Sequence, residues 1–198
     1  MTSYAVYFGI AAGLLQIAAA VPYLLGILRG ETKPNIVSQF LWTLLQLIAI
    51  AAQLQLGWSW SVLILCATTF NTALFTLLCL KGYGYREYGW IDKFCFLAAI
   101  LSLGLWGMMD NPLAALVVIL ITYVLSALPT IIKTLRYPAT ENATAWLMMS
   151  CASILSIASV TERTFANLAF PIDFFLESTL IGLIAFFGQR GYRIAFKK

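Results

Sequence analysis

Apolar stretches about twenty residues long, joined by connections too short to build anything of their own, constrain this chain more than any other feature. Seven of them occur, at about 4–28, 35–56, 58–80, 91–109, 113–135, 143–160 and 167–188. A helix of about 20 apolar residues crosses a bilayer, and lipid satisfies no open backbone group. Of the 198 residues, 62% are apolar and 10% charged, against about 25% charged in a soluble domain. Those figures exclude a water-soluble fold, a disordered chain and a nucleic-acid binder. The reading is an all-α integral membrane protein with seven transmembrane helices.

The first stretch has no basic residue ahead of its apolar core and is long for a signal sequence, so it reads as a span. Orientation follows from Lys and Arg. With the N-terminus outside, Arg29, Lys33, Lys81, Arg86, Lys93, Lys133, Arg136, Arg190, Arg193, Lys197 and Lys198 fall inside and only Arg163 outside. An even number of spans would spoil that split. The expected setting is the cell (inner) membrane, N-terminus outside, C-terminus cytoplasmic, the basic tail from Arg190 to Lys198 on anionic lipid. This topology leaves the Asn142-Ala143-Thr144 sequon silent on the cytoplasmic face. The chain has no His, which removes His metal sites, Ser-His or Cys-His pairs and imidazole relays. Cys66, Cys79, Cys95 and Cys151 all lie in apolar runs and read as small buried hydrophobes. No metal or cofactor is expected.

Sliding the chain along itself by 107 positions brings Pro22 onto Pro129, Arg29 onto Arg136 and Asn35 onto Asn142. Such residues are rare here, so their register carries weight that alanine matches do not. At a shift of 106, Asn71-Thr72-Ala73-Leu74 lies on Glu177-Ser178-Thr179-Leu180. Stretches 1–3 therefore read as a repeat of stretches 5–7, and the fourth restores the direction between them. The division is 1–88 for the first triple-helix bundle, 89–111 for the linker helix, and 112–198 for the second bundle and basic tail. Like-oriented copies are related by an axis along the membrane normal, one of the transporter layouts.

This three-plus-one-plus-three arrangement, with a proline in the inner half of the first helix of each triplet, resembles the SWEET and PQ-loop superfamily. The family's Pro-Gln pair stands here as Pro22-Tyr23 and Pro129-Thr130. The resemblance implies two parallel three-helix repeats, a central site between them and alternating access. It also implies that Asn71 faces substrate, that Glu177 holds the position of a second substrate-facing Asn, and that an intramembrane carboxylate couples transport to protons.

The residues themselves point the same way. Proline removes a helix hydrogen bond and frees the carbonyl four residues back, so Pro22 and Pro129 are candidate hinges. Gln39, Gln46 and Gln53 recur every seven residues beside Trp42 and Thr43, a stripe too polar to face lipid. Trp146, Ser150 and Ser153 answer it in the sixth stretch. Asp173 and Glu177, spaced i,i+4, put two carboxyls on one helix face within a span, a candidate proton or cation relay. The expected substrate-binding set is Gln16, Trp42, Gln46, Asn71, Tyr123, Trp146 and Ser150. Gly9 and Gly13 read as a close helix seam, and Trp58, Trp60, Trp90 and Trp106 as interfacial anchors. The expected function is a small-molecule transporter working by alternating access on a small polar molecule, with proton or cation coupling and oligomeric state left open. The rivals are a heptahelical ligand-binding or sorting receptor without flux, and a membrane-complex subunit. An enzyme is not expected, since no nucleophile–base pair accompanies the two acids.

Overall fold

The computed structural model describes residues 3–85, 87, 89–108 and 111–195; the side chains of Ser3, Ser102, Leu103, Trp106 and of residues 191–195 are not among those described. Arg86, Arg193, Lys197, Lys198 and the Trp106 anchor therefore lie outside the described residues or side chains. Seven α-helices are found among the described residues: α1 Ser3–Leu28, α2 Ile36–Leu56, α3 Val62–Leu78, α4 Trp90–Gly107, α5 Pro112–Arg136, α6 Ala143–Ser159 and α7 Phe165–Ala195. A π-helical turn, Cys79–Tyr83, closes α3, and a 3-10 turn, Pro138–Thr140, precedes α6.

The ends of these helices follow from local chemistry. Asn35 caps α2, its side-chain oxygen accepting from the N–H groups of Val37 and Ser38. Asn111 caps α5 ahead of Pro112, and Asn142 caps α6 through the Ala145 N–H. Each cap satisfies amides that hydrocarbon would leave bare. Gly82, at φ 98°, supplies the left-handed residue that turns the chain out of the π-helical segment.

Five helices are long and apolar enough to cross a membrane: α1, α2, α3 with its π turn, α5 and α7. This is the architecture of an integral membrane protein. Two further helices were expected to span: α6 is apolar but shorter, with 17 residues, or about 26 Å. Its start is fixed at Asn142 because the preceding residues are spent on the 3-10 turn. α4 has 18 residues and is not one of the five.

Packing is selective. α3 lies against both α1 and α2, and α7 against both α5 and α6. Across the bundle α1 packs on α6 and α2 on α5, while α4 sits outside, on α5 and α2. Gly9 is where α1 and α3 close: a Cβ there would stand 2.8 Å from the Trp60 Cβ and 2.9 Å from its carbonyl oxygen. Trp58 and Trp90 are exposed, whereas Trp60 is half-buried against this seam. Of the four cysteines read as buried, only Cys79 and Cys95 are; Cys66 and Cys151 lie on outward helix faces, where apolar residues belong because the surroundings are lipid.

Two of the three carbonyls freed by helix prolines are met by neighbours, as hydrocarbon requires. Pro129 frees the Leu125 carbonyl, and the Cys95 thiol of α4 donates to it at 3.2 Å. Pro171, a third helix proline, frees the Asn167 carbonyl, and the Ser61 hydroxyl donates to it at 3.1 Å.

Candidate functional site

At the centre, six of the helices (all but α4) leave a cavity of about 40 Å³, room for a few waters. Gln16 and Tyr23 reach it from α1, Gln39 and Trp42 from α2, and Thr68, Asn71, Thr72 and Phe75 from α3. Tyr123 comes from α5, Trp146, Met149 and Ser153 from α6, and Phe174, Glu177 and Ser178 from α7. Six of the expected residues line it: Gln16, Trp42, Asn71, Tyr123, Trp146 and Glu177.

Three do not, and each has a physical reason. Gln46 stands behind the wall, donating to the Tyr123 hydroxyl at 2.8 Å and accepting from Thr72 at 3.3 Å. It positions two lining side chains. Ser150 pairs its hydroxyl with that of Thr179 at 2.6 Å and stitches α6 to α7. Asp173, one turn from Glu177, is half-buried outside the lining, so only one of the two acids faces the cavity. The sequence reading also missed lining residues. Gln39 was visible in the heptad stripe of α2, and Tyr23 in the position of the family glutamine.

The polar atoms of the wall divide into two groups. The hydroxyls of Thr68, Ser153 and Ser178 donate back to carbonyls of their own helices, and Thr72 bonds Gln46 and Thr69. By contrast, Gln16 Oε1, Gln39 Oε1, Trp42 Nε1, Asn71 Oδ1 and Glu177 Oε1 are buried without a partner. An unpaired polar group in a low-dielectric interior costs about 1–3 kcal/mol, more when charged. Five of them on one small cavity make a site that gains by being filled with something polar.

The two ends of the cavity differ. Towards the Asn167 end, Phe170 and Phe174 pack on Tyr123 at ring-centroid separations of 5.7 and 5.5 Å. Towards the end carrying Lys33, Lys133 and Arg136, Tyr23 and Trp146 both donate to Glu141 Oε2, at 3.1 and 2.8 Å. Glu141 Oε1 is paired with Lys133 Nζ at 2.5 Å, both side chains essentially buried. Lys133 also donates to the Lys33 and Thr140 carbonyls. Beyond Glu141 lies an open depression of about 410 Å³ that Glu141 itself lines. Glu141, with Tyr23 and Trp146 on its inner side, thus stands between the depression and the cavity. Sequence reasoning took Lys133 only as an orienting charge and passed over Glu141, because an acid in a connection looks like a solvated one. Asn142, the sequon residue beside it, donates from its amide to the Pro22 carbonyl at 2.9 Å.

Among the described residues no group of His, Cys, Asp and Glu side chains is placed to hold a metal ion. No protein-family model, no curated protein and no solved structure matches this chain.

Proposed function

We propose that the chain is a small-molecule membrane transporter of SWEET-like architecture, working by alternating access, with Glu177 as the coupling carboxylate. The observation that carries the proposal is the cavity, formed by both halves of the chain and lined with unpartnered polar atoms. The repeat register supports it. Shifted by 107 or 106 positions, the lining residues pair as Gln16 with Tyr123, Gln39 with Trp146, Trp42 with Met149, Thr68 with Phe174, Asn71 with Glu177, and Thr72 with Ser178. Among these six helices, swapping α1, α2 and α3 for α5, α6 and α7 preserves which neighbours pack together, while α4 packs on α5 and α2. A pocket on such a pseudo-two-fold axis is where two bundles rock about a bound molecule.

The two ends supply gates of different kinds, an aromatic plug at one and the Glu141–Lys133 latch at the other. Glu177 is a carboxyl facing the cavity without a partner, the requirement for a group that binds and releases a proton or cation with the cargo. Anionic lipid at the basic end and a small polar cargo complete the proposal.

The test is uptake into proteoliposomes from a metabolite mixture, with and without an imposed pH gradient, read by mass spectrometry. Accumulation that Glu177→Gln uncouples from the gradient is the expected result. Binding without flux makes the protein a receptor and ends the transporter reading.

A further inference from the structure

We infer that the molecule bound in the central cavity is a small organic cation, with an ammonium head held by Glu177 and the surrounding rings. The inference rests on the reading of this cavity as a substrate site and adds the chemical class. Of the five unpartnered polar atoms on the wall, four are acceptors: Gln16 Oε1, Gln39 Oε1, Asn71 Oδ1 and Glu177 Oε1. Asn71 is fixed in this sense, because its amide nitrogen already donates to the Gln16 carbonyl at 2.8 Å, whereas the Gln16 and Gln39 amides are free to turn either atom to a ligand. Trp42 Nε1 is the lone donor of the five. A site that offers acceptors asks for donors in its ligand.

Charge points the same way. No Lys or Arg lines the cavity, and Lys133, the buried base among the described residues, is committed to Glu141. The protein supplies no counter-charge for Glu177, and ionising a carboxyl in such an interior is costly until an opposite charge arrives to pair with it. The remaining wall is aromatic. Trp42 lies 6.2 Å from both Tyr123 and Trp146, and Tyr123 lies 5.5 Å from Phe174, measured between ring centroids. Ring faces attract ammonium groups, strongly so when both are desolvated. An inorganic cation wants about six or more hard oxygens, which this wall does not supply. A neutral polyol needs donors and acceptors in balance, and a carboxylate ligand would meet Glu177 with like charge. A compact organic cation suits all three features together, one of about methylammonium size in the cavity as it stands and a larger one where the two bundles part around it.

The experiment compares shape with charge. Purified protein is titrated with methylammonium, tetramethylammonium and choline chlorides, and with 3,3-dimethyl-1-butanol, the uncharged carbon counterpart of choline. Thermal unfolding and tryptophan fluorescence are read at constant ionic strength. At least one of the ammonium ions should raise the unfolding temperature by a few degrees at tenfold excess over its dissociation constant. The neutral isostere should bind at least tenfold more weakly than choline, and Glu177→Gln should weaken the cations at least tenfold while leaving the folded protein intact. Equal binding of choline and its isostere in the wild-type chain, or no response to any of the three cations, overturns the inference without recourse to the variant. Proteoliposome flux separates the two readings. A neutral solute that is carried while the cations are ignored keeps the transporter and removes the cation, whereas a cation that binds but is not carried does the reverse.

Discussion

Two tryptophans meet the same cavity with their indole N–H groups in opposite situations. Trp146 donates to the buried Glu141 carboxylate at 2.8 Å, while Trp42 Nε1 is buried with no partner. The ligand-free protein should therefore respond differently to the same substitution. Trp146→Phe removes a hydrogen bond to a charged acceptor, worth about 1.5–3 kcal/mol, and should lower the unfolding temperature measurably. Trp42→Phe removes a donor that the fold does not use, so stability should hold or rise while ligand affinity falls. Thermal unfolding with and without ligand checks both, and a Trp42 variant as unstable as the Trp146 one contradicts the assignment of this indole to the ligand. At this scale the site was half legible. Gln16, Asn71, Tyr123 and Glu177 came from depth and repeat register, which fix how far along a helix a residue lies. Gln46, Ser150 and Asp173 each lie about a turn or less from a lining residue on the same helix, but which side chains of a turn face the cavity is a matter of packing. Glu141 carried no signal, since only the tertiary fold takes its connection out of water.

At the scale of elements, the connection between α5 and α6 is held by a buried ion pair. Glu141 and Lys133 are eight residues apart on either side of a 3-10 turn and form one buried pair, anchored further by Tyr23 and Trp146. Removing one member strands the other in a dry interior at a cost of about 3–5 kcal/mol. Glu141→Gln and Lys133→Met should each destabilise strongly, and the double variant should lose far less than their sum. A double-mutant cycle followed by thermal unfolding reads that coupling, and strict additivity would show that the two charges do not depend on each other. The α1–α3 seam makes a second expectation. A methyl group at Gly9 meets Trp60 side-chain and backbone atoms at under 3 Å, so Gly9→Ala should cost about 1–3 kcal/mol by overpacking. Gly104→Ala, with nothing within 4 Å of the added carbon, is the matched control and should be tolerated. Helix starts carry a local signal that the span boundaries did not use: Asn35, Asn111 and Asn142 precede apolar runs, as N-caps do. The order in which helices pack was not, because apolar faces of similar composition do not specify one another locally. The bonds to the proline-freed carbonyls, from Cys95 and Ser61, were equally hidden.

For the whole molecule, alternating access makes a demand that neither gate makes alone: each end must open in turn, so fixing either end must stop net flux. Two cross-links address this. At the basic end the Lys33 N–H donates to the Thr140 carbonyl at 2.9 Å, joining the α1–α2 connection to the α5–α6 connection. At the other end the Ser61 hydroxyl donates to the Asn167 carbonyl at 3.1 Å, joining the start of α3 to the start of α7. A disulfide needs its Cα atoms within about 7 Å, so formation of each cross-link is verified by thiol titration before uptake is read. In a background lacking the four native cysteines, Lys33→Cys with Thr140→Cys, and separately Ser61→Cys with Asn167→Cys, should each abolish proteoliposome uptake when oxidised and regain it on reduction. Binding should survive in both, with ligand reaching the site only from the unlocked side. A fixed pore would behave otherwise, since both of its ends stand open together and a tether that leaves the lumen clear leaves its flux. A receptor that carries nothing would show locked binding with no flux to restore. The decisive outcome is reversible arrest at both ends, because only two bundles rocking about a shared central site require the opening of ends so far apart to be mutually exclusive.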